Sequence, residues 1–149
     1  MDLDALRLSI SSGMVVATRH WRRICQLALV NHGISEACAV PLLMIARLGD
    51  GVRQVTVAHA AGLEGASLVR LLDQLCSAGF VCRSGDAADR RAKSLSLTES
   101  GRALASAIEA ELTRLRQEVL QDVAPADLEA TLRVLRAFEA AGVPGSGAP

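Results

Sequence analysis

From Leu3 to about Val30, apolar side chains recur at every third or fourth position: Leu6, Ile10, Met14, Ala17, Trp21, Ile24, Leu27 and Ala28. At 3.6 residues per turn such positions fall on one face, so the segment reads as a single long amphipathic helix. No other feature limits the fold so strongly. A chain of 149 residues has the size of one domain, and a domain that small cannot cover so long a stripe with its own core.

Composition decides what the rest of the core is made of. Half of the residues are apolar, but only 2% are aromatic, with one Trp, two Phe and no Tyr. The core must therefore be built from Ala, Leu and Val, a mixture that favours helices. Sixteen Lys and Arg offset sixteen Asp and Glu, which removes the simplest argument for a nucleic-acid partner, a basic average. Any electrostatic case has to be local. The opening MDLDALRL is acidic and amphipathic, and the longest apolar run, Cys38 to Ala46, is too short for a span. A soluble, cytoplasmic protein without a membrane partner is expected. Cys25, Cys38, Cys76 and Cys82 form no C-x-x-C pair and have no His at zinc-ligand spacing. They read as buried thiols, with no metal and no cofactor.

Asn31, His32 and Gly33 break the first helix, and Ser35 is placed to cap a second from Glu36 to Leu48. Pro41 would kink that helix or mark a later start. Asp50 and Gly51 close it. A short helix from about Arg53 to Ala61 ends at Gly62, and a better-patterned one runs from about Gly65 to Ala78, ending at Gly79. Two short helices joined by a brief turn containing Gly have the form of a helix-turn-helix. In the second, Leu68, Leu71, Leu72 and Leu75 share one face, while Ala66, Ser67, Arg70, Asp73 and Gln74 lie on or beside the other.

FVCRS alternates Phe80 and Cys82 against Val81 and Arg83; KSLSL alternates Leu95 and Leu97 against Ser94 and Ser96. With SGDAADRRA between them, these make a hairpin with a long charged tip. Thr98 precedes another long amphipathic helix, carrying Leu104, Ala107, Ile108, Leu112, Leu115, Val119 and Leu120, and Pro125 opens a last one ending near Ala141. The Gly- and Pro-rich residues 142–149 have nothing to bury and are expected to be a disordered tail. The order implies a mainly α fold with a small β-hairpin wing. A winged helix-turn-helix spans about residues 35–97, flanked by long helices at about 3–31 and 98–141, in one domain of residues 1–141.

DNA chemistry explains the middle section. A helix N-terminus carries about half a positive charge and free N–H groups, so Glu64 to Ser67 can meet phosphate while Ser67 and Arg70 point at base edges. Ala66 and Gln74 share that outward side, and Arg70 is the candidate for reading a guanine. At the tip, Arg90 suits insertion into a neighbouring minor groove, with Arg91 and Lys93 nearer the backbone. Asp89 can hold one guanidinium by a bidentate pair, which assigns Asp89 and Arg91 to geometry and Arg90 to contact. From Val52 to Lys93, six cations stand against four acids, a local excess of +2.

The stretch GLEGASLVRLLDQLCSAGFVCRSGDAADRRAKSLSLTESG resembles the multiple-antibiotic-resistance regulator (MarR) family of bacterial transcription factors. Its most specific part is the D-x-R of Asp89 to Arg91 followed by L-x-L-T-x-x-G, and the likeness extends over about residues 5–141. The resemblance implies a homodimer joined through the N-terminal and two C-terminal helices, which accounts for their excess length. By position it places Ser67 and Arg70 on the recognition helix, Arg90 in the minor groove, and Asp89 with Arg91 as the wing scaffold. The chain departs from the family at Ala87, where Pro is frequent, and at Arg53, where a capping Thr or Ser is common. A looser wing and a less secure start for that helix follow.

The same resemblance implies a small aromatic or phenolic acid effector, held between the dimer helices and the DNA-binding lobe. His20, Trp21, Met44 and Arg47 are the candidates to line that cleft, Arg47 taking a carboxylate, although Trp21 and Met44 also suit plain core. Cys25, near His20 and Arg22, invites comparison with peroxide-sensing relatives, but the tyrosines that activate their thiol have no counterpart here. A redox-sensing regulator of the same fold, or a winged-helix protein-interaction module, are the alternatives. No nucleophile, phosphate loop or carboxylate pair supports an enzyme. The expectation is a ligand-responsive repressor, binding double-stranded DNA as a homodimer on a pseudo-palindrome with half-sites about one helical turn apart.

Overall fold

The computed structural model describes residues 2–85 and 93–142. Asp2 caps the first helix, its carboxylate accepting from the Ala5 amide at 2.8 Å, and α1 runs over Leu3–Val30. Ser35 caps α2 (Glu36–Leu48) in the same way, accepting from the Cys38 amide at 3.2 Å. The cap fixes the start of α2 at Glu36, so Pro41 does not delay it. Pro41 is buried inside the helix and leaves the Ala37 carbonyl without its helical donor. After α2, Gly49 (φ 96°) and Gly51 (φ 81°) turn the chain on either side of Asp50, a backbone path that side-chain-bearing residues rarely take.

The elements that follow are β1 (Val52–Arg53), α3 (Gln54–Ala61), α4 (Gly65–Ser77), β2 (Val81–Gly85), β3 (Lys93–Leu97), α5 (Glu99–Leu120) and α6 (Pro125–Gly142). The strands form one antiparallel sheet in the order β1-β3-β2, with Val52 opposite Leu95 and Val81 opposite Leu97. The hairpin is as expected; β1 is an addition. It takes Arg53 out of the helix, which begins at Gln54 without a side-chain cap. The tip residues 86–92 and the tail residues 143–149, with the looser wing and the disorder expected of them, lie outside the described residues.

The chain divides into two compact units, Met1–Thr113 and Arg114–Pro149, with the division falling inside α5. The first unit holds the core. Leu42 and Ile45 of α2, Val57 of α3, Leu68, Leu72 and Leu75 of α4, Leu95 of β3 and Ile108 of α5 are all withdrawn from water. No aromatic ring is fully buried among them, as the composition implies: Trp21 and Phe80 are only half-buried. Burial of each aliphatic side chain contributes about 1.5–3 kcal/mol. By contrast only Ala28 and Leu29 of α1 are buried, and Leu3, Leu6, Leu8, Val15, Val16, Leu27 and Val30 are exposed. In the second unit no described residue of α6 is buried, and Leu132 and Phe138 stand open.

The cysteine expectation needs correction. Cys38 is buried, Cys25 and Cys76 are half-buried and Cys82 is exposed. The register decides the last of these: Val81 packs inward opposite the buried Leu97, and strand alternation then turns Cys82 outward.

The L-x-L-T-x-x-G motif has a physical basis. Thr98 donates its amide to the Phe80 carbonyl (3.0 Å) and its hydroxyl to the Gly79 carbonyl (2.6 Å), while the same hydroxyl accepts from the Gly101 amide (3.0 Å). Ser100 adds a second hydroxyl to Gly79 (2.9 Å). The backbone of Phe80 is thereby drawn so close that a Cβ on Gly101 would lie 1.9 Å from its carbonyl oxygen. Gly101→Ala is expected to cost about 3 kcal/mol or more, because the obstacle is backbone and cannot rotate away. Ser100→Ala loses one hydroxyl and should cost about 1 kcal/mol. Thermal denaturation followed by circular dichroism ranks the two, and equal midpoints would refute the steric account.

Candidate nucleic-acid interface

α3 and α4 are joined by three residues, Gly62, Leu63 and Glu64. Gly62 takes the left-handed conformation (φ 65°), and the Leu63 amide closes the end of α3 on the Ala58 carbonyl at 2.9 Å. Glu64 then precedes α4 without donating or accepting a side-chain cap bond. The first backbone amide of α4 to find a helical acceptor is that of Leu68, which bonds to Glu64. Those of Gly65, Ala66 and Ser67 point out of the helix end, and none of the three carries a large side chain over them.

On the outward side of α4, Ala66, Arg70 and Gln74 are exposed and Ser67 is half-buried, while Leu68, Leu72 and Leu75 fill the core behind them. The division of faces is the expected one. Arg70 makes no hydrogen bond or ion pair among the described residues, so its five donors are available. Gln74 is different: its Oε1 accepts from Cys38 Sγ at 3.2 Å, which tethers it to α2. A Gln74 that reads bases must first leave that partner.

Lys93 is exposed at the start of β3, opposite Gly85. The hairpin is joined beyond its backbone ladder by the Ser84 and Ser94 hydroxyls, 2.7 Å apart. Asp89, Arg90 and Arg91 lie outside the described residues. One partner escaped the sequence reading. Arg83 of β2 reaches α4, donating to Asp73 Oδ1 at 2.6 Å and to the Val69 carbonyl at 3.2 Å. The available signal was the spacing of Val69 and Asp73, one turn apart on the helix that the hairpin follows.

Neither of two surface hollows lined by described residues holds all four effector candidates. Arg47 pairs with Glu109 at 3.0 Å and lines a hollow of about 680 Å³ with Asp50, Arg102 and Ser106. His20 borders a separate hollow along α1 with Arg19, Arg22 and Arg23. Trp21 and Met44 are half-buried and line neither.

Residues 32–113 match the family described as ArnR1-like, winged-helix domain. The chain belongs to the ArnR1-like winged-helix family. Solved structures agree over nearly its whole length. It is similar to the transcriptional regulator PA3341, with 34% identity, 88% of this chain and 96% of that one covered, and a TM-score of 0.79. A mutant MarR from E. coli complexed with operator DNA matches at 21% identity, 93% and 99% coverage, and a TM-score of 0.78. The MepR–DNA complex of Staphylococcus aureus matches at 22% identity, 88% and 96% coverage, and a TM-score of 0.80. The fold is thus that of the MarR regulators, the resemblance read from the sequence is borne out, and the chain is a winged-helix, MarR-like transcriptional regulator.

In this ArnR1-like winged helix, Asp50 ties the turn between α2 and β1 to the end of β3 and the start of α5. One carboxylate oxygen accepts from the Leu97 amide (3.0 Å), the other from Arg102 (3.1 Å), which also donates to the Leu97 carbonyl (3.0 Å). The Gly51 amide adds a bond to the Leu95 carbonyl at 2.9 Å. Asp50→Ala leaves the half-buried Leu97 amide bond without its acceptor and should cost about 1–3 kcal/mol. Asp50→Asn, which keeps an acceptor in place, should cost less; a urea titration giving the reverse order would refute the assignment.

Proposed function

We propose that the chain is a homodimeric, sequence-specific regulator of transcription that binds double-stranded DNA through α4 and the wing, in the cytoplasm. The observation that carries this reading is the open N-terminus of α4, with Arg70 exposed and unengaged among the described residues on its outward face. Three unopposed amides and a helix dipole attract a phosphate, and a guanidinium one turn further on reaches the major-groove edge of a guanine. Two proteins of the same fold have been crystallised with DNA, E. coli MarR and S. aureus MepR, which supports the same use of the fold here. Arg90 enters the adjoining minor groove, Asp89 and Arg91 shape the wing, and Lys93 neutralises backbone phosphate.

The winged helix-turn-helix of about residues 35–97 works with helices at about 3–31 and 98–141 as dimerisation arms. The exposed Leu3, Leu6, Leu8, Val15 and Val16 of α1 and Leu132 and Phe138 of α6 support that assignment, since a monomer with these faces in water is an unfavourable end state. Occupancy of a promoter represses it by exclusion, and a small aromatic or phenolic acid relieves the block. Arg47, already opposite Glu109, is the group an acid of that kind exchanges into.

Anisotropy titrations over a range of salt test the DNA reading. Arg90→Ala should weaken binding to all fragments and lower the slope of log K against log salt by about one. Arg70→Ala should cost about 1–3 kcal/mol on the operator and relax preference at one base position. A wild-type chain that binds no promoter fragment at low salt overturns the proposal.

Removal of residues 1–30 should leave a monomer or an aggregate, as read by light scattering after gel filtration. A well-behaved monomer that still binds operator would rule out the proposed arms.

A further inference from the structure

We infer that Arg83 is a positioning residue for operator recognition: it sets the spacing between recognition helix and wing without itself contacting DNA. The inference rests on the DNA-binding reading above and adds a residue that reading does not use.

Arg83 is the middle residue of β2, opposite Leu95 of β3. Its guanidinium leaves the sheet and ends on α4 with one terminal nitrogen on Asp73 Oδ1 (2.6 Å) and the other on the Val69 carbonyl (3.2 Å). Val69 and Asp73 are one turn apart, and Arg70 lies between them in sequence. The Arg83 side chain is 26% exposed against 60% for Asp73. Its Nε is buried and finds no partner among the described residues, so the group is held by its two terminal nitrogens alone. Two anchors on one rigid plane fix direction as well as distance, which a lysine ammonium cannot do.

Three consequences follow from that placement. The charge of Arg83 is neutralised by Asp73, and one N–H of each terminal nitrogen is already engaged, so it is a weaker phosphate ligand than an unpaired arginine. The hairpin moves with it, because Ser84 and Ser94 lock β2 to β3 immediately beyond. On its other flank α4 is held by the contact of Cys38 with Gln74, so the helix is pinned from the wing and from α2, while Arg70 is exposed and has no partner among the described residues. Loss of the Arg83 pin lets hairpin and helix drift relative to each other. An operator that must be met by both at once then binds more weakly, whereas random duplex, met mainly through phosphates, does not.

The test uses full-length Arg83→Gln, Arg83→Lys, Asp73→Asn and the Arg83→Gln/Asp73→Asn double variant. Each is titrated with an operator recovered by selection from genomic fragments and with random duplex, over a range of salt, and its thermal midpoint is recorded. Operator affinity should fall roughly five- to thirty-fold in each single variant, the equivalent of about 1–2 kcal/mol. Affinity for random duplex and the salt slope should stay at wild-type values, Arg83→Lys should not rescue, and the double variant should be no worse than the worse single. A salt slope lowered by about one in Arg83→Gln would make Arg83 a phosphate contact and overturn the inference. Equal losses on operator and random DNA, additive losses in the double variant, or unchanged operator affinity would overturn it too. If Arg83→Gln does not fold, Asp73→Asn, altered at the more exposed end of the pair, decides alone. Wild-type protein that binds no fragment removes the DNA reading itself; wild-type binding with unaffected variants removes only the role given to Arg83.

Discussion

Two adjacent carbonyls, those of Gly79 and Phe80, are where the winged helix is tied together. They end the turn that follows α4 and begin the strand that leads to the wing, and both are gripped by the first turn of α5 through Thr98 and Ser100. The grip works only because Gly101 has no Cβ; any other residue would place a carbon inside the Phe80 peptide. The helix α4, the hairpin base and α5 therefore share one joint. A joint of hydroxyls and backbone is strongly directional and tolerates little substitution, so the T-x-x-G of the motif is a local steric requirement rather than a label.

Around that joint the charges are distributed in a way the neutral average conceals. Arg7 pairs with Asp4, Arg22 with Glu36, Arg47 with Glu109, Arg83 with Asp73, Arg102 with Asp50 and Arg114 with Glu118. Most of these pairs are exposed, and each contributes at most about 1 kcal/mol to stability. Their larger effect is on availability. Cations inside such pairs have less to offer a polyanion, whereas Arg70, one turn into α4 from the end where backbone amides point outward, is unengaged among the described residues, as are Arg19, Arg23 and Lys93 elsewhere. A protein can thus be neutral overall and still present positive potential at one place.

Much of this was legible in the sequence. The Ser35 cap, the glycines that end α3 and α4, and the leucine stripe of α4 act over three or four residues, and such short-range signals survive in a one-dimensional reading. What was missed is long-range. β1 is a strand only because Val52 and Arg53 meet β3, and two residues have no alternation to detect. Cys82 faces outward because the register seats Val81 instead. Gln74 looked free on a helical wheel, yet Cys38, far away in sequence, holds it. In the sequence Arg83 is one more charge, because its partners Val69 and Asp73 become neighbours only once the hairpin folds back on α4.

The uneven burial of apolar residues separates two kinds of stability in one chain. The winged helix closes its own core around Leu42, Ile45, Leu68, Leu72 and Leu95, with no exposed edge to that cluster. The long helices do not: of the 28 residues of α1 only two are buried. Apolar side chains that the core leaves in water, Leu3, Leu6 and Leu8 of α1 and Leu132 and Phe138 of α6 among them, are strung along these helices. In the proposed dimer the same uncovered faces bury each other, so cohesion of the arms depends on protein concentration while cohesion of the winged helix does not. If the proposed effector acts on that proposed dimer, it has no need to disturb α4 or the wing: altering how the arms pack is enough to change the spacing of the two winged helices.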